Sequence, residues 1–472
     1  MAPRDTKAAE GGAEDRTGVG GEGSTTVLAA AAWHSLTWLL VGCCIGLLLG
    51  ALLLFPQMNR WLGEWTYGRW APLHLNLNLY GWCSLPLVAW LLRVYQADRP
   101  PVSRWSRATL WGWSAALATG ASSWLAGRGS GKLFLDWQGF PLMLLGLALL
   151  FLWGALARSF WCHWGDEGHG SRIEGGLGPS ARRAAQAGGL ILLLVVPFAL
   201  YWAAGPKVYP PVNPDTGGPT GASLLESALG IVLILLVLPY GLIRRRQTKR
   251  RVVGGTWWLF LGENVLCLAL GPGNASHHQA GEYLGLGSLL VWVPVLPAYF
   301  RAFDWPDGAR RWRGACLFWW GLLVASAWVM FLPGALDRFK FTDALVGHSH
   351  LAMAGFVSSL NLLLLVALLG ESGRGLNTAW AFYAWQTGTL GYVILMFAAG
   401  FVEGKDPAFT IVPGFARDVV YSLRMVCGGL MLAAAHHWWR EISRVAAKET
   451  TPRVETGARE ISVRGLSPGK IL

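Results

Sequence analysis

Charged residues are scarce in this chain. They make up 14% of its 472 residues, whereas hydrophobic residues make up 53% and tryptophan alone occurs 28 times. Average soluble domains carry about 25% charged residues, so an ordinary soluble globular fold is excluded. The sequence also lacks a nucleotide-binding glycine loop and a convincing internal repeat. We therefore predict an all-α, polytopic membrane protein without a soluble catalytic domain.

Cysteine is also rare. None of the seven cysteines belongs to the Cys-x-x-Cys-His pattern that attaches haem covalently. The nearest approach, Cys162-His163, lacks the first cysteine, and we interpret the cysteines as small packing residues. No cleavable signal peptide is expected, because the first apolar run has the length of a membrane span.

Apolar runs of about 20 residues, the length that crosses ~30 Å of hydrocarbon, recur along the chain. They predict twelve transmembrane helices near residues 28–55, 70–95, 106–127, 137–160, 184–204, 222–243, 255–272, 283–303, 313–335, 341–370, 379–402 and 414–439. Residues 1–26 are polar and should form a disordered cytoplasmic N-terminus. Residues 27–445 should form the membrane domain, and residues 446–472 a mobile cytoplasmic tail.

The formal net charge of +12 comes from loops rather than from one extended surface. Six positive charges fall within residues 244–251, and further basic segments lie at 93–107, at 301–313 and after residue 440. All of them share one side of the membrane if the spans alternate. The positive-inside rule then places these loops and both termini in the cytoplasm. The charge is thus interpreted as a topology signal, and no nucleic-acid partner is expected.

Two histidines stand inside the tenth apolar run, in the sequence Gly347-His348-Ser349-His350. Ionisable side chains inside a span are costly and usually functional. At about 100° per residue, positions i and i+2 of a helix point roughly 200° apart. The pair should therefore reach partners on opposite sides of the helix rather than share one metal. The alternative is that both rings only hydrogen-bond to neighbouring helices.

Other polar residues fall at the same depth. His74 lies about one turn inside the second span, which enters from the same side as the tenth. Glu226 begins the sixth span from that side, where a carboxylate often serves only as a partner of the helix dipole. His277 and His278 follow the seventh span, where a histidine pair is often only solvated. A shared depth is the condition that two axial ligands of one haem iron must meet.

Twelve spans, an early histidine in the second and a Gly-His-x-His motif in the tenth resemble subunit I of the haem-copper oxidase superfamily. The likeness is greatest to the cbb-type cytochrome c oxidases and their nitric oxide reductase relatives. It covers roughly residues 28–445. The motifs that carry it are His74-Leu-Asn-Leu-Asn-Leu-Tyr-Gly-Trp, Gly347-His-Ser-His-Leu-Ala-Met-Ala-Gly and Tyr421-Ser-Leu-Arg-Met-Val-Cys-Gly-Gly.

The resemblance implies two non-covalent b-type haem groups with defined ligands. His74 and His350 would be the axial ligands of a low-spin haem. His348 would be the proximal ligand of a catalytic high-spin haem, where oxygen or nitric oxide is reduced. Arg424 and Asp136 would face haem propionates.

The resemblance also implies partners and a location. Electrons would come from a c-type cytochrome subunit or a soluble cytochrome c, because this chain has no covalent-haem motif. Other oxidase subunits and membrane lipid would surround the chain in a bacterial inner (plasma) membrane.

The second metal of the family is where this sequence departs from it. Family members hold copper or iron with one histidine in the sixth span and a His-His pair ending the seventh. Here those positions read Glu226 and Gly273-Asn274, and the pair His277-His278 comes four residues late. Either these side chains still bind copper or non-haem iron as a mixed N/O set, or the chain is a dihaem electron-transfer subunit without that metal. A secondary transporter also has about twelve spans, but histidines at one depth have no obvious role in one.

Overall fold

Almost all of the residues that the structure describes are helical, and no strand forms among them. The structure is a computed structural model that describes residues 22–164, 179–208, 224–270, 280–332 and 334–450. Within these ranges nine helices are long and apolar enough to cross a membrane. Two shorter apolar helices, Ala228–Val237 and Leu284–Phe300, accompany them.

Each of the twelve predicted spans contains a helix. These are α1 Glu22–Leu54, α2 Tyr67–Val94, α3 Ser103–Leu125, α4 Gly139–Cys162, α5 Pro179–Ala204, α6 Leu224–Val237, α7 Arg250–Leu270, α8 Leu284–Phe300, α9 Arg310–Met330, α10 Asp343–Asn377, α11 Ala379–Glu403 and α12 Phe415–Thr450. The prediction of an all-α membrane protein is confirmed. Nine of these helices meet the requirements of a span; α3 is more polar, and α6 and α8 are the two shorter ones.

The first and last helices extend beyond the predicted membrane domain. α1 begins at Glu22 rather than near residue 27, and α12 continues to Thr450, past the predicted boundary at 445. Neither glycine nor proline occurs between residues 430 and 451. Without such a helix breaker, the polar sequence after the apolar run continues the same helix.

Two helices, α2 and α10, occupy the middle of the bundle. Their apolar segments have the largest buried shares among the nine long helices, 56% and 67%. α2 packs on α1, α3 and α10, and α10 packs on α9 and α11 as well. α12 fills the position between α1 and α11, while α4 packs on α3 and α5 packs on α4. The candidate histidines of α2 and α10 are therefore carried by the two most enclosed helices.

Each of these central helices contains a π-helical stretch that begins soon after its histidines. The stretches are Leu77–Cys83 in α2 and Leu351–Val357 in α10. Such widened turns are rare and are frequent at functional sites. Near the ends of these stretches the two helices are bonded together: Trp82 Nε1 donates to Ser358 Oγ (2.8 Å), and Asn361 Nδ2 donates to the carbonyl of Trp82 (2.8 Å).

Several of the basic loops meet at one end of the bundle, which we call the basic end (residues 93–107, 244–251, 301–313 and those after 440). Arg245 and Phe303 form an isolated antiparallel bridge that joins the loop after α6 to the loop after α8. Arg246 also pairs with Asp304 at 2.6 Å. At the other end, Arg417 at the start of α12 donates to the carbonyl of Leu53 at the end of α1. These contacts agree with helices that alternate in direction.

Candidate functional site

His74 packs against two glycines of α1, Gly42 and Gly46. Its Nδ1 lies 2.9 Å from the carbonyl oxygen of Gly42. One turn further along, a Cβ on Gly46 would lie only 2.9 Å from Cε1 of His74. A carbonyl oxygen can only accept, so Nδ1 carries the proton and Nε2 keeps a free lone pair. The two glycines therefore let α1 approach and fix the ring in one tautomer.

His350 is fixed in the same tautomer by its own helix. Its Nδ1 lies 2.8 Å from the carbonyl oxygen of Val346, one turn earlier. The ring is also packed against Tyr392 of α11, with 4.2 Å between the ring centroids and 30° between the planes. Nε2 is again left with its lone pair.

His74 and His350 lie at the same level, as the sequence predicts. His74 precedes Trp82 by eight residues, and His350 precedes Ser358 by eight residues, and Trp82 is bonded to Ser358. The helical segments after this bond, Leu85–Val94 and Ser358–Leu369, continue to pack together, so α2 and α10 run in the same direction. The two rings are also within electrostatic range of each other.

His348 leaves α10 toward a different neighbour. Its Nδ1 lies 3.2 Å from Oγ of Ser326 in α9. Gly347 faces α11, where a Cβ would lie 3.0 Å from Cβ of Met396. The two histidines of the motif thus contact different parts of the bundle, as expected from their i and i+2 spacing.

All three histidines are partly enclosed within the helix bundle. Protein atoms surround each ring, yet each histidine keeps partly accessible surface. Within the described part of the chain, no hydrogen bond reaches any of the three Nε2 atoms. The free lone pairs of His74, His348 and His350 are therefore available to a metal.

Arg424 of α12 lies near His74 and His350, and its guanidinium has a donor that is not hydrogen-bonded to any described residue. Its guanidinium lies over the rings of Tyr392 and Tyr421, at 5.0 and 5.7 Å from their centroids. Asp343 is its nearest carboxylate, with 3.9 Å between Nη1 and Oδ1. Nη1 is buried and has no hydrogen-bond partner among the described residues. Buried charged donors are nearly always bonded, so this guanidinium is suited to an anionic oxygen such as that of a haem propionate.

Asp136 is placed elsewhere. Its Oδ2 accepts from Nδ2 of Asn76 (3.1 Å), and its Oδ1 accepts from the backbone N–H of Gly131 (3.0 Å). Burial raises the pKa of the Asp136 carboxyl above its usual value, and these two hydrogen bonds offset only part of that rise. Asn76 follows His74 by two residues and so leaves α2 on roughly the opposite face. The carboxyl thus fastens the loop before α4 to α2, and the expectation that Asp136 faces a haem propionate stays a prediction.

The residues expected to bind a second metal are not seen. His277 and His278 lie outside the described residues, and so does the side chain of Glu226, whose backbone begins α6. Within the ranges that are described, no group of three or more His, Cys, Asp or Glu side chains could hold a metal ion.

Two contributors to the site, Tyr392 and Ser326, carry no recognisable sequence signal. Tyr392 lies between His350 and Arg424, and Ser326 orients His348. Both belong to apolar helices in which nothing marks the face that meets α10. Their roles depend on the packing of α9 and α11 against α10, which sequence periodicity does not give.

No protein-family model matches this sequence, and no curated protein is similar to it. Its function is therefore inferred from the residues and the geometry described above.

Proposed function

We propose that this chain is the two-haem subunit of a membrane oxidoreductase, similar in design to subunit I of the cbb-type cytochrome c oxidases. His74 and His350 would hold a low-spin haem, and His348 would hold a high-spin haem. One observation carries the proposal: all three rings turn Nδ1 toward a protein oxygen, and no described residue forms a hydrogen bond with Nε2. Neutral imidazole with one nitrogen hydrogen-bonded is the usual form of a histidine metal ligand.

The protein's own groups would orient the ligands and balance charge. The carbonyls of Gly42 and Val346 fix the tautomer of the low-spin pair and make each Nε2 more basic. Ser326 does the same for His348. Arg424 would neutralise a propionate, and Tyr392 would separate that charge from the ring of His350. When bound, each haem supplies an iron that accepts and donates one electron.

The proposed activity is the transfer of electrons from a c-type cytochrome through the low-spin haem to the high-spin haem for oxygen reduction in respiration. α10 carries a ligand for each haem, two residues apart, so one rigid helix links the two sites. The proposed setting is a bacterial inner membrane with both termini in the cytoplasm. Nitric oxide is the alternative substrate within the same design.

An absorption spectrum of the purified protein tests this proposal. We expect two haems per chain that acidified organic solvent extracts, because no covalent-attachment motif occurs. We also expect a reduced-minus-oxidised spectrum with one low-spin and one carbon monoxide-reactive high-spin component. Folded protein that contains no haem, after expression with ample haem supply, would refute it and favour a transporter.

A dihaem electron conduit without gas chemistry is the second candidate. The observation that favours it is the sequence Gly273-Asn274 at the positions where the family places its metal-binding histidine pair. Such a protein would give the same haem spectrum but would consume no oxygen.

The topology gives a first prediction. A cysteine introduced at Thr248, in the basic end, should react with a membrane-impermeant maleimide only after the cells are opened, because basic loops stay in the cytoplasm. A cysteine at Gln57, in the exposed loop after α1 at the other end, is the matched control and should react in intact cells. Labelling of the Thr248 site in intact cells would show that the orientation is the opposite of the one proposed.

Arg424 gives a second prediction. Arg424→Gln removes a buried positive charge close to His74 and His350, so the ferric form of the low-spin haem becomes relatively more stable. We expect its midpoint potential to fall by on the order of 60 mV, the one-electron equivalent of a tenfold change in equilibrium constant. Arg424→Lys keeps the charge and should shift the potential less. An unchanged midpoint potential in folded, haem-replete Arg424→Gln protein would show that Arg424 does not interact with the low-spin haem.

A further inference from the structure

The basic end contains a cavity that the haem proposal does not use. It has a volume of about 200 Å³, far more than the ~30 Å³ share of one water molecule in the liquid. The loop after α2, the last turn of α4 and the start of α5 enclose it. We call it the basic pocket and define it by Tyr95, Arg99, His163, Arg182, Arg183 and Gln186.

Three of the side chains that line this pocket are arginines, and no described acidic residue lines it. The nearest carboxylate in sequence, Asp98, is fully buried and paired with Arg93 at 3.0 Å. Nε of Arg99 is buried and has no hydrogen-bond partner among the described residues. Buried donors of a charged group usually have a partner, so the hydrogen bonding of this guanidinium is incomplete among the described residues.

The N-terminus of α5 adds to the electrostatic repulsion among these positive charges. Arg182 and Arg183 follow the first residue of the helix, Pro179, within about one turn, and no acidic residue is present there. The N-terminus of a helix favours anions and disfavours cations. An anion bound in the pocket would therefore be attracted by the side chains and by the helix end together.

The neutral polar groups of the pocket are already bonded to protein. Tyr95 donates its hydroxyl to the carbonyl of Gln186 (2.6 Å), and Gln186 Nε2 donates to the carbonyl of Val94 (2.9 Å). His163 Nδ1 lies 2.8 Å from the carbonyl of Ser159. The guanidinium groups of Arg99 and Arg182 therefore supply donors for a ligand, and guanidinium suits the geometry of phosphate.

The surroundings of the pocket fit a lipid rather than a soluble phosphate. Trp161 and Trp164 are 66% and 46% exposed at the end of α4, and exposed tryptophans mark the headgroup level of a membrane. The guanidinium of Arg183 lies over the Trp164 ring, 5.9 Å from its centroid. Further along α5, Ile191 and Leu192 are exposed and offer an apolar surface to an acyl chain.

We propose that the basic pocket binds the phosphodiester headgroup of an anionic phospholipid, with the acyl chains lying along α4 and α5. Basic pockets between membrane helices on the cytoplasmic side are suited to such headgroups. This site is at the opposite end of the bundle from the histidines and does not depend on the haem proposal.

Native mass spectrometry of the full chain in detergent tests the lipid site. Delipidated protein would be titrated with phosphatidylglycerol and, separately, with phosphatidylcholine of the same chains. We expect one tightly retained phosphatidylglycerol and much weaker retention of phosphatidylcholine. In Arg99→Gln/Arg182→Gln protein, retention of phosphatidylglycerol should weaken by about thirtyfold, if each basic side chain contributes about as much as it does near a membrane surface.

A matched variant, Lys249→Gln/Arg250→Gln, removes the same charge from exposed residues of the basic end outside the pocket and should retain the lipid. Equal retention of the two lipids, or equal loss in the two variants, would overturn the proposal. Displacement of phosphatidylglycerol by excess inorganic phosphate would assign the pocket to free phosphate and overturn the lipid. Both variants should show an unchanged elution volume, which confirms that they are folded.

Discussion

Replacing His74 or His350 with alanine should remove the low-spin haem signal from the purified protein, whereas replacing His348 should leave that signal in place. His74 and His350 would each hold the low-spin haem through Nε2, and each ring is oriented by a hydrogen bond at Nδ1 on its far side. Losing only an outer-shell partner of a metal ligand typically costs about 10–100-fold in affinity. Losing the ligand itself should cost at least as much.

The His348→Ala protein should show the complementary result. Its low-spin spectrum should persist, while the carbon monoxide-reactive high-spin component is lost, because His348 faces Ser326 of α9 and not His74. The measurement is a reduced-minus-oxidised spectrum of each variant, normalised to protein.

His34→Ala is the control for general damage to the bundle. His34 is also buried, bonded to Ser114 of α3 at 2.8 Å and packed against Trp111, but it belongs to no proposed ligand set. It should therefore keep both haem components. If low-spin signals survive in folded His74→Ala and His350→Ala proteins, the proposed ligand assignment is wrong.

The helical segments could be predicted from sequence because apolar runs of membrane length are a direct signal. The exact ends could not, because α12 continues through a polar sequence that simply contains no helix breaker. The π-helical stretches after His74 and His350 also leave no mark on hydropathy. They accompany a contact between Trp82 and Ser358, which are 276 residues apart in the chain.

The candidate site, like the helices, could be predicted from the sequence only in part. The common depth of His74 and His350 follows from counting residues from the ends of two spans, and the structure agrees. The position of Asp136 does not follow from such counting, because a loop residue can face any nearby helix. The structure shows its carboxyl bonded to Asn76, and its expected place near a haem propionate stays a prediction. The open Nη1 of Arg424 likewise depends on how α12 packs between α1 and α11, which only the three-dimensional arrangement gives.

Metal content separates the oxidase from the electron conduit. For oxygen reduction at His348, we expect one equivalent of copper or non-haem iron per chain, since a second metal helps to bind and polarise the substrate. Glu226 offers one oxygen, and His277 and His278 must return by about one helical turn, ~5 Å, past Gly273-Asn274.

His277→Ala/His278→Ala should therefore lose that metal and essentially all oxygen consumption, while both haem components remain. The measurements are elemental analysis of haem-replete protein and oxygen uptake with a reduced c-type cytochrome as donor. Replacing His436, an exposed histidine of α12 at the basic end, is the matched control and should change neither. Haem-replete protein with neither copper nor non-haem iron would exclude the oxidase. The protein would then be the electron conduit, in which the two haems only pass electrons. Gly273 and Asn274 have no imidazole side chains and cannot replace the histidine pair of the family.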